Sequence, residues 1–100
     1  MTFSELTKTD KPVLVDFYAD WCAPCRAMKP ILDDLKTRMD EKVVIYKIDV
    51  EKNQTLAQRF QVRSIPTLIL FKGGEPVWRK SGMASIKELE NAIHQIIPHA

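Results

Sequence analysis

Cys22 and Cys25 are the only cysteines in the chain, and they stand three positions apart within VDFYADWCAPCRAMKP, residues 15–30. A thiol pair at that spacing is half of a zinc site, a short structural staple, or a reactive dithiol. Zinc needs two further ligands, and the only histidines, His94 and His99, lie about seventy residues away. A disulfide closing so short a loop restrains little of the unfolded chain, about 2 kcal/mol in the loop-entropy model. A chain of 100 residues also buries a core without such help.

Position favours the reactive dithiol. Residues three apart inside a helix hold their β-carbons about 5 to 6 Å apart, whereas a disulfide wants about 3.5 to 4.5 Å. The mismatch vanishes if Cys22 occupies the half-helical first position. The sequence puts it there, because an apolar β-rich run ends near Ala19 and a helical pattern begins after Pro24, a residue suited to a first turn since its missing N–H costs nothing there. Unpaired N–H groups and the helix dipole favour an anion at that end, so Cys22 is expected to be the exposed nucleophile. A free thiol is only roughly 3% ionised at pH 7, and lowering its pKa from about 8.5 to about 7 requires about 2 kcal/mol, which a helix end supplies in a partly buried setting. Cys25, one turn further in, is expected to be the more buried, resolving thiol.

The elements around the pair follow from periodicity. Residues 13–19, VLVDFYA, are apolar on both alternating faces except for Asp16, as in a central strand covered on both sides. Cys25, Met28, Leu32, Leu35 and Met39 recur at helical steps, with Pro30 expected to kink that helix. A second strand over residues 42–50, reached through a helix, implies a parallel pair with a right-handed crossover. A short helix over residues 53–60, a strand PTLILF, a Gly73-Gly74 hairpin turn and an antiparallel strand PVWRKS follow. A last helix is opened by a Ser85/Glu88 capping box and carries Ile86, Leu89, Ile93 and Ile96/Ile97 on one stripe. The order is that of an α/β sandwich with a mixed sheet.

Composition excludes other classes. With 45% hydrophobic and 28% charged residues, no repeat and no linker, residues 1–100 read as one soluble domain. A net charge of +2, spread among acids, argues against nucleic acid. LILF at 68–71 is far too short to span a bilayer, and MTFSELTKTDK lacks the apolar core of a signal peptide, so no membrane contact and a cytoplasmic location are expected.

VDFYADWCAPC, KIDVEKN, SIPTLILFKGGE and SGMAS, in that order and at that spacing, resemble the thioredoxin family over nearly the whole chain. The resemblance implies a thioredoxin-like sandwich in which Cys22 attacks and Cys25 resolves. It makes Asp16 the buried acid behind the disulfide and Lys47 its neighbour, both serving the chemistry. It implies a substrate groove built from Trp21, Ala23 and Pro24, from Ile65 and a cis Pro66, and from Gly82 and Met83. Three departures stand out: Ala-Pro replaces the usual Gly-Pro, Tyr18 stands where Trp is usual, and the family's first strand, which would precede TFSELTKTDK, is not supplied. Without a His between the cysteines the pair should favour the reducing direction, and the sheet should have four strands with residues 43–50 at an edge.

The expected activity is therefore reduction of protein disulfides by dithiol-disulfide exchange, without bound cofactor, by a monomer recharged by an NADPH-dependent thioredoxin reductase. The alternatives are an oxidase or isomerase of an exported pathway, and a non-catalytic binding module using the same apolar face. Measured reduction potential separates the first, and turnover the second. Asp16, alternating with Leu14 and Tyr18 on a buried face, is expected to hold its proton to a higher pH than a free carboxyl.

Overall fold

Strand β1 (Val13–Tyr18) sits inside a four-stranded sheet of order β2-β1-β3-β4, formed with β2 (Val44–Asp49), β3 (Thr67–Lys72) and β4 (Glu75–Ser81). The computed structural model describes residues 2–97. β2 runs parallel to β1, whereas β3 is antiparallel to both β1 and β4, so the sheet is mixed. Helices α1 (Phe3–Thr7), α2 (Ala23–Met39), α3 (Gln54–Arg59) and α4 (Ile86–Ile96) flank it. The architecture is the expected α/β sandwich with a mixed sheet, and β2 occupies one of its edges, as expected.

Strand alternation sorts β1 into two cores. Val13, Val15 and Phe17 join Ile69 and Phe71 on one face, covered by Phe3 of α1 and by Leu56 and Phe60 at α3. Phe3, Phe60 and Phe71 meet there with ring centroids 5.3–5.4 Å apart, in the tilted and edge-on arrangements that aromatic pairs prefer. Leu14 faces the other way, with Leu68 and Leu70, against Met28, Leu32, Leu35 and Met39 of α2 and Leu89, Ala92 and Ile93 of α4. Asp16 falls on this second face by the same alternation, and it is fully buried.

The helix boundaries follow local chemistry. α4 opens on the expected capping box, Glu88 N–H donating to Ser85 Oγ at 3.1 Å and Ser85 N–H to Glu88 Oε1 at 3.0 Å. α2 continues through Pro30 as one element. The proline removes one backbone donor, but Met28, Leu32 and Leu35 hold the flanking turns against the sheet.

The edge position has a measurable consequence. Val44 and Val50 donate their N–H groups inward, to Pro12 and Tyr18, so alternation turns the backbone groups of Ile45 and Lys47 outward. Their amides should show several-fold lower hydrogen-exchange protection than those of Leu14 and Phe17 in dilute protein. Equal protection would mean that something covers the edge.

Candidate active site

The chain leaves β1 at Tyr18, turns through a Cys22 N–H to Ala19 carbonyl bond of 3.2 Å, and enters α2 at Ala23. Cys22 is the N-cap of that helix, with extended φ and ψ of −84° and 111°. Its sulfur takes the part that a serine or aspartate oxygen plays at other caps, accepting from the Cys25 N–H at 3.2 Å. Pro24 fills the first turn without wasting a donor. The N-cap position also resolves the spacing problem: Cys22 and Cys25 are joined as a disulfide with their α-carbons 5.2 Å apart.

One expectation is corrected in this oxidised form. Exposure does not separate the two cysteines, at 4% for Cys22 and 3% for Cys25, because Tyr18, Val50 and Ile65 close around both. Position distinguishes them instead: Cys22 takes a helix N–H, while Cys25 lies inside the first turn of α2.

Around the pair stand the residues expected to form a groove. Trp21 is 66% exposed and Met83 41%, both high for large apolar side chains; Ala23 and Pro24 are exposed as well. Ile65 is half-buried against the cysteines, and its carbonyl oxygen lies 3.8 Å from Cys22 Sγ. The Ile65–Pro66 peptide is cis, and Gly82 donates its N–H to the Pro66 carbonyl at 2.7 Å. Gly82 has φ of +96°, a backbone conformation that costs a side-chain-bearing residue strain. These contacts bring residues 65–66 and 82–83 together with Cys22.

On the Leu14 face of β1, Asp16 has both carboxylate oxygens buried, with no hydrogen-bond partner among the described residues. Burial pushes its pKa up from 3.8 to about 6, and the nearby positive charge of Lys47 opposes part of that rise. Lys47 is exposed on edge strand β2, opposite Asp16 in the register, with its ammonium 4.7 Å from the Tyr18 ring centroid. Tyr18, Ala19, Asp20, Cys25, Arg26 and Lys47 line a cavity of about 120 Å³, room enough for water to reach the Cys25 side of the pair.

Two contacts escape sequence reasoning. The Trp21 indole N–H donates to Glu51 Oε1 at 3.0 Å, and Glu51 is presented by a turn in which Asp49 Oδ1 accepts from the Glu51 N–H at 2.9 Å. Aspartate followed by a polar stretch signals such a turn, but nothing local links it to a tryptophan thirty positions earlier. The zinc alternative finds the two cysteines bonded to each other, with His94 on the exposed side of α4 and His99 outside the described residues.

The thioredoxin family model matches residues 2–95. The chain is 42% identical over 97 residues to chloroplastic thioredoxin Y of Oryza sativa subsp. japonica, covering 96% of itself and 58% of that protein. It is 39% identical over 97 residues to the bifunctional thioredoxin reductase/thioredoxin of Mycobacterium leprae, covering 97% of itself and 21% of that protein. The chain thus spans less than two thirds of either relative. Oxidised mitochondrial thioredoxin 3 of Saccharomyces cerevisiae superposes with a TM-score of 0.84 at 33% identity, over 94% of this chain and 87% of that one.

The buried acid yields a pH prediction. Below pH 3.8 Asp16 is protonated in both folded and unfolded states and carries no ionisation penalty. As pH rises toward about 6 the unfolded chain ionises first, so stability falls, and above that it levels off. In denaturant melts of oxidised protein, Asp16→Asn should gain on the parent by about 2 to 3 kcal/mol between pH 4 and pH 8. A pH-independent difference would show that Asp16 does not carry this penalty.

Proposed function

The chain belongs to the thioredoxin family, with Cys22 and Cys25 as its CxxC redox pair, and from that premise we propose that it reduces disulfides of partner proteins. The observation that carries this reading is the N-cap position of Cys22, whose sulfur receives the Cys25 N–H. In the reduced protein that donor, with the helix dipole, favours Cys22 as a thiolate.

Cys22 attacks one sulfur of a substrate disulfide, forming a mixed disulfide while the other substrate sulfur leaves as a thiolate. Asp16 takes the Cys25 thiol proton, supported by the charge of Lys47, and Cys25 attacks Cys22 Sγ. The second substrate sulfur leaves, and the two electrons delivered to the substrate have left the Cys22–Cys25 dithiol as its disulfide. A carboxyl with a pKa of about 6 holds and releases a proton near neutrality far better than an exposed one does.

Substrate chain lies along the cis Ile65–Pro66 segment and the Gly82–Met83 segment bonded to it, pairing by backbone as an added strand would. Trp21, Ala23, Pro24 and Met83 supply apolar contact. No metal or bound cofactor takes part, residues 1–100 act as one domain, and the working form is a monomer.

An NADPH-dependent thioredoxin reductase returns the pair to the dithiol; the Mycobacterium leprae relative, named for both activities in one chain, supports that partnership. Net reduction requires a reducing compartment such as the cytoplasm. The Ala-Pro pair, without a histidine between the cysteines, favours this direction over that of an oxidase.

Insulin reduction under dithiothreitol tests the reading. Cys22→Ser should abolish turnover, and reduced Cys25→Ser, mixed with insulin after dithiothreitol is removed, should accumulate a mixed disulfide visible on a non-reducing gel. Asp16→Asn should attack at the parental rate yet resolve roughly 10²-fold more slowly, the lower end of what a positioned base supplies. Turnover retained by Cys22→Ser, or binding without turnover by the parent, would refute it.

A further inference from the structure

Lys47 faces Asp16 without joining it. The two are opposite one another in the parallel β1–β2 register, yet neither Asp16 oxygen has a hydrogen-bond partner among the described residues. The Lys47 ammonium is found instead 4.7 Å from the centre of the Tyr18 ring. Tyr18 is two positions along β1 from Asp16 and therefore shares its face, and it lines the same cavity as Lys47 and Cys25.

We propose that Tyr18 is a positioning residue for proton transfer, its ring holding the Lys47 ammonium at the cavity wall, close enough for Asp16 to feel the charge and too far to pair with it. The proposal rests on the reading of Asp16 as the acceptor of the Cys25 proton. A direct ion pair would fix Asp16 as a carboxylate and weaken it as a base. An ammonium ranging through solvent on its flexible four-carbon stem would leave the buried acid reluctant to ionise at all. The negative face of an aromatic ring selects an intermediate placement.

Among the described residues that line the cavity, Lys47 is the cation left to perform this task. Arg26, on the cavity wall, donates to the Asp20 carbonyl at 2.8 Å, and Lys29 of α2 is paired with Asp33 at 3.1 Å. From β3, Leu68 stands opposite Asp16 and carries no charge. From α4, Leu89 and Ile93 belong to the apolar cluster on that face; the exposed Asp20 also lines the cavity, and Cys25 is held in the disulfide and does not titrate in the oxidised protein.

The test is a double-mutant cycle read by carbon-13 NMR titration of the Asp16 carboxyl in oxidised protein. Tyr18→Phe, which keeps the ring, should leave the titration midpoint unchanged. Tyr18→Leu should raise it, as Lys47→Met does, and should add no further rise in the Lys47→Met background. Equal effects of Tyr18→Leu with and without Lys47 would overturn the proposal, because the ring would then act through hydration of the cavity. An unchanged midpoint in Lys47→Met would overturn it as well. The pH profile of mixed-disulfide release, measured on the same variants, should follow the NMR midpoints. Midpoints that move as expected without the rate profile would leave the positioning intact and remove Asp16 as the base.

Discussion

A single hydrogen bond, from the Cys25 N–H to Cys22 Sγ at 3.2 Å, sets what the surrounding structure must provide. For that donor to be free, Cys22 must be the last residue before the helix, so β1 must end by Tyr18 and the chain must turn within Ala19–Trp21. The turn is closed by the bond from the Cys22 N–H to the Ala19 carbonyl, and the helix starts with the Arg26 N–H on the Cys22 carbonyl at 3.1 Å. Ala19 is wholly buried, leaving no room to shift the junction. The helix is held in place from behind by Met28, Leu32 and Leu35 on the sheet, so the redox pair is mounted on the core itself.

The same mounting exacts a cost at Asp16. A leucine there would extend the apolar face begun by Leu14, whereas a buried carboxyl without hydrogen bonds destabilises the neutral-pH fold. Natural chains retain such a group when its perturbed chemistry is useful, which is the use proposed above for Asp16. The sheet is organised to tolerate it. β1 is paired on both sides and covered on both faces, so local opening cannot readily bring water to the acid.

What was legible in the sequence was what local periodicity encodes. The alternation of β1 placed Asp16 with Leu14 and Tyr18, the helical steps from Cys25 to Met39 gave the buried stripe of α2, and Ser85 with Glu88 marked the start of α4. Fold and edge strand followed from the order of the elements. The expected groove residues were named only through family resemblance, because Pro66 and Gly82 meet by a backbone bond that neither side chain announces. The equal burial of the cysteines was missed because it comes from distant Val50 and Ile65 closing over them. The Trp21–Glu51 and Tyr18–Lys47 contacts join residues about thirty positions apart, beyond the reach of any local pattern.

Competitive alkylation of the reduced protein tests the central claim most directly, that helix position rather than burial selects the nucleophile. With limiting iodoacetamide near pH 7 and peptide mapping, Cys22 should be modified first, and faster than in the urea-unfolded chain. Modification of Cys25 first, or of both at the unfolded rate, would contradict the account.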